Sequence, residues 1–293
     1  MIAKGTLDLE TKFESIPSIE EQWVSLDGVR VRYLRSGSGP ALVLLHGLLG
    51  YSFSWRFAMP ALAQQATVYA ADMPGAGFSE RPTGLDCCLR ASAERLLRFL
   101  DAVGLTSCDL LGTSQGGAVA MMAAAIAPQR VRRLVLVNPV NPWSAPGKRR
   151  ARFLSSRTIA PLFLRLAPHL RITHSYVLRR LYGDPRRILP GTLDGYSAPF
   201  TTPDAFANGL GVLRSWDQDL QQLKIILPLI SHIPTLMVWG SVDRAVAPES
   251  AHELLKHFRN CRLVILEGVG HLPYEEVPEE FNRVVGEFLK QTY

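Results

Sequence analysis

The stretch Cys108-Asp-Leu-Leu111-Gly-Thr-Ser114-Gln-Gly116-Gly-Ala-Val joins a short apolar run to a run of small residues, with a serine at the junction. The run ending at Leu111 has the character of a strand buried on both faces, and the residues from Gln115 onward that of a helix. Gly112 and Gly116 flank the serine, so the chain can double back where bulkier neighbours would clash. A residue on so sharp a strand-to-helix bend is held in a strained backbone conformation, beside the free N–H groups that open the helix. That is the setting a G-x-S-x-G nucleophile requires, and Ser114 is read as one.

The same rhythm extends outward. Gln22–Leu26 and Val29–Arg35 flank Asp27-Gly28, a hairpin signal. Ala41–Leu45, Thr67–Ala71, Cys108–Leu111, Leu134–Val137, Thr235–Trp239 and Leu263–Leu266 are short apolar runs of buried-strand type. Helical stretches lie between or after them at Arg56–Gln64, Leu89–Val103, Gln115–Ala127, Glu249–Phe258 and Pro278–Leu289. The expected fold is α/β: a doubly wound, mostly parallel, eight-stranded sheet with an antiparallel start. Residues 1–139 and 234–293 would form the core. From 140 to 233 the pattern turns helical (Phe153, Leu154, Ile159, Leu162, Phe163, Leu166, Leu170), which predicts a lid inserted after the sixth strand. The first twenty or so residues carry little periodicity and read as a loose lead-in.

A serine hydroxyl is a poor nucleophile until a base takes its proton. His271, in Gly268-Val-Gly-His271-Leu-Pro, follows the last strand in a glycine-flanked loop; His169, His174 and His232 fall in the lid, and His252 and His257 on a helix. Asp243, in Gly240-Ser-Val-Asp243, follows the strand Thr235–Trp239 and is the candidate to orient that base; Asp217 and Asp219 are rivals within the lid.

Together with Leu45-His46-Gly47, Asp72-Met-Pro-Gly75-Ala-Gly77-Phe-Ser79 and Gly270-His271, these motifs resemble the α/β-hydrolase superfamily over nearly the whole chain. The resemblance implies the fold above, a Ser114–Asp243–His271 triad, and an oxyanion hole made by the backbone N–H groups of Leu48 and Gln115. Such preorganised donors lower an acyl-transfer barrier by about 3–4 kcal/mol each. His46 reads as a structural residue of its turn. Tyr51-Ser-Phe-Ser-Trp55-Arg and Ser79-Glu-Arg81-Pro82 look like the branch of haloalkane dehalogenases and epoxide hydrolases. Those enzymes use an aspartate nucleophile, and the dehalogenases place Trp after it; Ser114 and Gln115 depart from both patterns. Acyl chemistry is left.

A carboxylic-ester hydrolase working through an acyl-serine is the simplest reading. A C–C bond hydrolase of vinylogous diketones would use the same triad, but that family's Gly-Pro-Gly is replaced here by Leu48-Leu49-Gly50. A cofactor-free haloperoxidase, an acyltransferase, or a silent receptor on this fold remain alternatives. Leu49, Tyr51, Val140, Trp143, Val246 and Leu272 adjoin the catalytic loops or the lid entrance, as pocket lining or as core. An apolar lining with few charges suits a small-molecule ester with an apolar acyl group.

Composition bounds these readings. At 293 residues, 47% hydrophobic and 20% charged, the chain fits one globular unit. Its net charge of +6 is concentrated in the lid, where Lys148, Arg149, Arg150, Arg152, Arg157, Arg165, Arg171, Arg179, Arg180, Arg186 and Arg187 face only Asp184 in sequence. No nucleic-acid-binding signature accompanies them, so they read as a solvated basic face or an anion-steering one. Cys87, Cys88, Cys108 and Cys261 lack metal-ligand spacing; neither a metal nor a cofactor is expected. The N-terminus is too polar for a signal peptide and no run could span a bilayer, so the expected location is cytoplasmic. The sequence leaves the oligomeric state open.

Overall fold

A computed structural model describes residues 18–144, 156, 158–169 and 171–291. Most of the expected lead-in lies outside them, as do Lys148, Arg149, Arg150, Arg152, Arg157, Phe153, Leu154 and Leu170. Strands β1 (Glu20–Leu26) and β2 (Val29–Ser36) pair antiparallel across Asp27-Gly28. Both turn residues have left-handed φ (51° and 85°), the geometry a two-residue hairpin of this hand needs. Strands β3 (Ala41–Leu45), β4 (Thr67–Ala71), β5 (Cys108–Thr113), β6 (Val131–Val137), β7 (Thr235–Gly240) and β8 (Cys261–Leu266) complete an eight-stranded sheet. Its order is β1-β2-β4-β3-β5-β6-β7-β8, antiparallel as far as the β2–β4 pair and parallel from there on. This is the α/β architecture the sequence predicts.

Helices cover both faces. On one lie α2 (Leu89–Ala102) and α3 (Gln115–Ile126), with Leu96, Phe99, Met121 and Ala124 in the larger core. On the other, Trp55, Met59 and Leu62 near the short α1 (Met59–Leu62) meet Phe281, Val285 and Phe288 of α10 (Pro278–Leu289). The expected helix over Arg56–Gln64 is only this one turn. Pro60 has no N–H to donate and its ring would crowd the carbonyl four residues back, so the segment before it forms a 3₁₀ turn, Ser52–Trp55. The run Leu263–Leu266 is also less enclosed than expected. Its strand pairs with β7 alone at the sheet edge, which leaves Ile265 38% exposed.

Between β6 and β7 the described residues hold helices and no strand: α4 (Ala160–Leu166), α5 (Arg171–Leu181), α6 (Thr192–Ser197) and α7 (Ala207–Ile230). The far end of α7 buries Leu220, Leu223, Leu227 and Ile230 in the larger core. Its near end meets the loop after β3, because a side chain at Gly209 would sit 2.9 Å from Leu49. After β7 come α8 (Glu249–Leu255), β8, and the one-turn α9 (Pro273–Glu276) that leads into α10. No helix among the described residues is long and apolar enough to cross a membrane.

Candidate active site

Ser114 joins β5 to α3 with φ 52° and ψ −119°, a left-handed backbone that a non-glycine residue adopts only when its surroundings enforce it. The enforcement is visible. The Ser114 N–H donates to the Val137 carbonyl (2.9 Å), and its own carbonyl accepts from Val140 (2.9 Å) and Gly117 (3.1 Å). The flanking glycines are obligatory on steric grounds. A Cβ at Gly116 would lie 2.3 Å from the Leu45 carbonyl oxygen, and one at Gly112 would lie 2.4 Å from that of Gly116. The side chain stands half-buried beyond the carboxyl end of the central strands, where open parallel sheets bind their ligands.

His271 and Asp243 are brought together. The His271 Nδ1 lies 2.7 Å from Asp243 Oδ2, with both side chains almost wholly withdrawn from solvent. The other carboxylate oxygen, Oδ1, accepts from the N–H groups of Ala245 (2.7 Å) and Val246 (3.0 Å). A carboxylate oxygen at Nδ1 favours the tautomer that carries its proton there, which leaves Nε2 with a free lone pair. Asp219, a rival acid by sequence, is spent elsewhere: it accepts from the N–H of Leu89 at the start of α2 (3.0 Å) and from Ser215 (2.7 Å).

Two supporting residues escape the sequence reading. Asn138, one residue past β6, is buried with φ 41°. Its amide donates to the carbonyls of His271 (2.8 Å) and Gly270 (3.3 Å) and accepts from the N–H of Gly240 (3.0 Å). One side chain thus ties the ends of β6 and β7 to the histidine loop, and the preceding residue, Val137, holds Ser114. Glu276, buried on α9, accepts from the N–H groups of Gly270 (2.7 Å), Gly183 (3.0 Å) and Asp184 (3.3 Å), with Arg187 3.5 Å away. Burial raises its carboxyl above the usual range, against the lowering effect of those donors. The turn after α5 is therefore stitched to the histidine loop, a link completed by the His271 N–H donating to the Leu181 carbonyl (2.6 Å). The positive φ at Asn138 and the carboxylate five residues beyond the histidine have no local signal of their own.

Gly47 brings the loop after β3 against the serine: a Cβ there would lie 3.2 Å from Ser114 Cβ. The loop then turns through Leu49 (φ 57°), closed by Gly50 N–H donating to Gly47 (2.9 Å). No acceptor among the described residues takes the Leu48 N–H, and that of Gln115 opens α3 ahead of any intrahelical partner. Of the other expected lining residues, Leu49 is exposed at this loop and Tyr51 is buried, its hydroxyl donating to Gly195 on α6 (2.6 Å). Val140 and Val246 lie in the larger core, Leu272 in the smaller, and Trp143 stacks on His257 at 5.0 Å. Desolvation lowers the pKa of His46, whose ring bonds Gly47 O (2.9 Å) and the Met73 N–H (3.4 Å) within the loops themselves. Among the described residues no group of three or more His, Cys, Asp or Glu side chains could hold a metal ion.

Residues 40–278 match the family model described as alpha/beta hydrolase fold. The chain belongs to that family. This hydrolase is 31% identical to the dihydrolipoyllysine-residue acetyltransferase component of the acetoin cleaving system of Cupriavidus necator, over 92% of this chain and 68% of that one. It is 26% identical to 2-hydroxymuconate semialdehyde hydrolase of a Pseudomonas species (90% and 92% covered), and 26% identical to epoxide hydrolase 4 of Homo sapiens (90% and 76%). Among solved structures, a membrane phospholipase A described as a bacterial virulence factor superposes on the hydrolase with a TM-score of 0.78. It is 26% identical and covers 92% of this chain and 86% of its own.

Proposed function

We propose that this protein is a serine hydrolase of carboxylic esters, with Ser114 as nucleophile, His271 as base and Asp243 as the group that orients it. The observation that carries the reading is the left-handed bend at Ser114, held by Val137 one residue before the Asn138 that grips the histidine loop. In the first half-reaction the Ser114 hydroxyl oxygen attacks the ester carbonyl carbon while His271 Nε2 takes its proton. The new oxyanion receives hydrogen bonds from the Leu48 and Gln115 N–H groups. Collapse breaks the bond to the alkoxy oxygen, which leaves as alcohol with the proton from His271. Water, deprotonated by the same nitrogen, then attacks the acyl carbon; the bond to Ser114 Oγ breaks, that oxygen takes back the proton from His271, and the acid departs.

The insertion from 140 to 233 is proposed as a lid, anchored in the core by the far half of α7. Its turn after α5 touches the histidine loop and its α7 touches the Leu48–Leu49 loop, so it adjoins both halves of the site. Exposed apolar groups on the loops after β3 and β4, Leu49 and Phe78 (39% and 46%), the latter edge-on to Tyr51 at 5.5 Å, suit an apolar acyl chain. The similarity to a C–C bond hydrolase keeps a vinylogous diketone as the second reading. A panel of p-nitrophenyl esters of increasing acyl length, run beside such a diketone, separates the two. Ester turnover that is lost in Ser114→Ala is expected; turnover of the diketone alone overturns the esterase reading.

A further inference from the structure

The outer faces of α4 and α5 are not those of an ordinary solvated helix pair. On α4, Leu162 (56% exposed), Arg165 and Leu166 (46%) stand three and four residues apart, hence side by side on one face. On α5, Tyr176 (60%), Val177 (49%) and Arg180 make a second such patch. The inner side of α4 and the first half of α5 meet one small cluster: Phe163 meets Phe206 at 6.2 Å, and His174 meets Phe206 at 5.7 Å and Phe200 at 6.2 Å, while Leu178 and Leu181 further along α5 pack into the smaller core. Because both helices turn inward onto the same rings, their exposed sides share the outer surface of the insertion. Apolar side chains and arginines are interleaved there, in a stretch of sequence that carries no acid. The sequence from Lys148 to Leu181 contains nine Lys and Arg residues and no Asp or Glu. Among the described residues neither Arg165 nor Arg180 has a carboxylate within ion-pair distance.

We propose that this outer face of α4 and α5 binds the surface of an anionic phospholipid bilayer. Each half of the pattern excludes other occupants. A second copy would bring like charges together. A nucleic acid would supply phosphates but no apolar medium for Leu162, Leu166 and Val177. A lipid surface supplies both at different depths: phosphates for the guanidinium groups, and acyl chains a few ångströms below for the leucines and valine. Tyr176 has the amphipathic ring that suits the boundary between them. The attraction needs no catalysis. Only its consequence, that the lid side of the site faces a source of lipid esters, rests on the esterase reading.

Co-sedimentation tests this with the full chain and two kinds of vesicle: phosphatidylcholine alone, and the same lipid with about a third phosphatidylglycerol. The expected result is binding at least about tenfold stronger to the anionic vesicles, weakened by salt. The charge variant Arg165→Glu/Arg179→Glu/Arg180→Glu should lose that preference. The apolar variant Leu162→Ser/Leu166→Ser/Val177→Ser should keep a weak attraction that salt abolishes. Hydrolysis of dissolved p-nitrophenyl acetate should be unchanged in both, which also shows that they fold. Equal partition to the two vesicle types overturns the proposal, as does a charge variant that hydrolyses normally and still prefers anionic vesicles. Binding of soluble heparin that is equal in the wild type and the apolar variant, with no vesicle binding, overturns it in favour of a polyanion.

Discussion

At the scale of single residues, the candidate site depends on positions where the backbone or a missing Cβ leaves no freedom. Gly47 is one, because its missing side chain lets the loop after β3 lie against Ser114. In Gly47→Ala the new methyl group, 3.2 Å from Ser114 Cβ, must push the loop or the serine aside. Ester turnover is expected to fall at least about tenfold with little change in thermal midpoint, since small displacements of reacting groups are costly; unaltered kinetics would show that the loop does not abut the nucleophile. His46 offers a pH test. Desolvation holds its folded-state pKa below that of the unfolded chain. As pH falls below about 6.5 the unfolded chain takes up a proton that the folded protein resists, so stability present above that pH is lost on the way down. Thermal midpoints measured across that range should fall less steeply for His46→Gln than for the wild type; parallel curves would remove His46 from the acid limb. Ser114 and its glycines were legible in sequence because steric demand leaves a compositional trace. Asn138 was not, since its φ of 41° and three hydrogen bonds exist only once β6, β7 and the histidine loop meet.

At the scale of elements, the loops proposed to carry the chemistry are held by side chains from elsewhere. Asn138→Ala would leave the Gly240 N–H and the Gly270 and His271 carbonyls without their partner. A loss of about 2–4 kcal/mol is expected from the midpoint of urea unfolding; a loss below half a kcal/mol would mean that the loops support themselves. Glu276→Gln sets an amide NH₂ among the N–H groups of Gly183, Asp184 and Gly270, where only an acceptor fits. The histidine loop should shift, lowering kcat by about tenfold while KM changes little; a rise in KM at constant kcat would place Glu276 in substrate binding instead. The strands were readable because runs such as Ala41–Leu45 are apolar throughout, as a sheet covered on both faces demands. Pro60 and the edge position of β8 set the two exceptions: one depends on a single missing donor, the other on which strand lies beside which.

At the scale of the whole molecule, the insertion is where the sequence was least informative. Its helical character follows from apolar spacing, but its attachments do not. The links from Leu181 and Gly183 to the histidine loop and from Gly209 to the Leu48–Leu49 loop join residues roughly ninety and one hundred and sixty positions apart. Nor does the local pattern show that the far half of α7 belongs to the sheet's own core. The proposed reaction centres on the bend at Ser114, which the loop after β3 and the end of β6 both abut. The most direct measurement of that claim is labelling of the intact protein with a fluorophosphonate, followed by mass spectrometry of its peptides. A single adduct on Ser114 is expected, absent from Ser114→Ala and slowed in His271→Ala. An adduct on any other residue, or labelling that persists in Ser114→Ala, would contradict it.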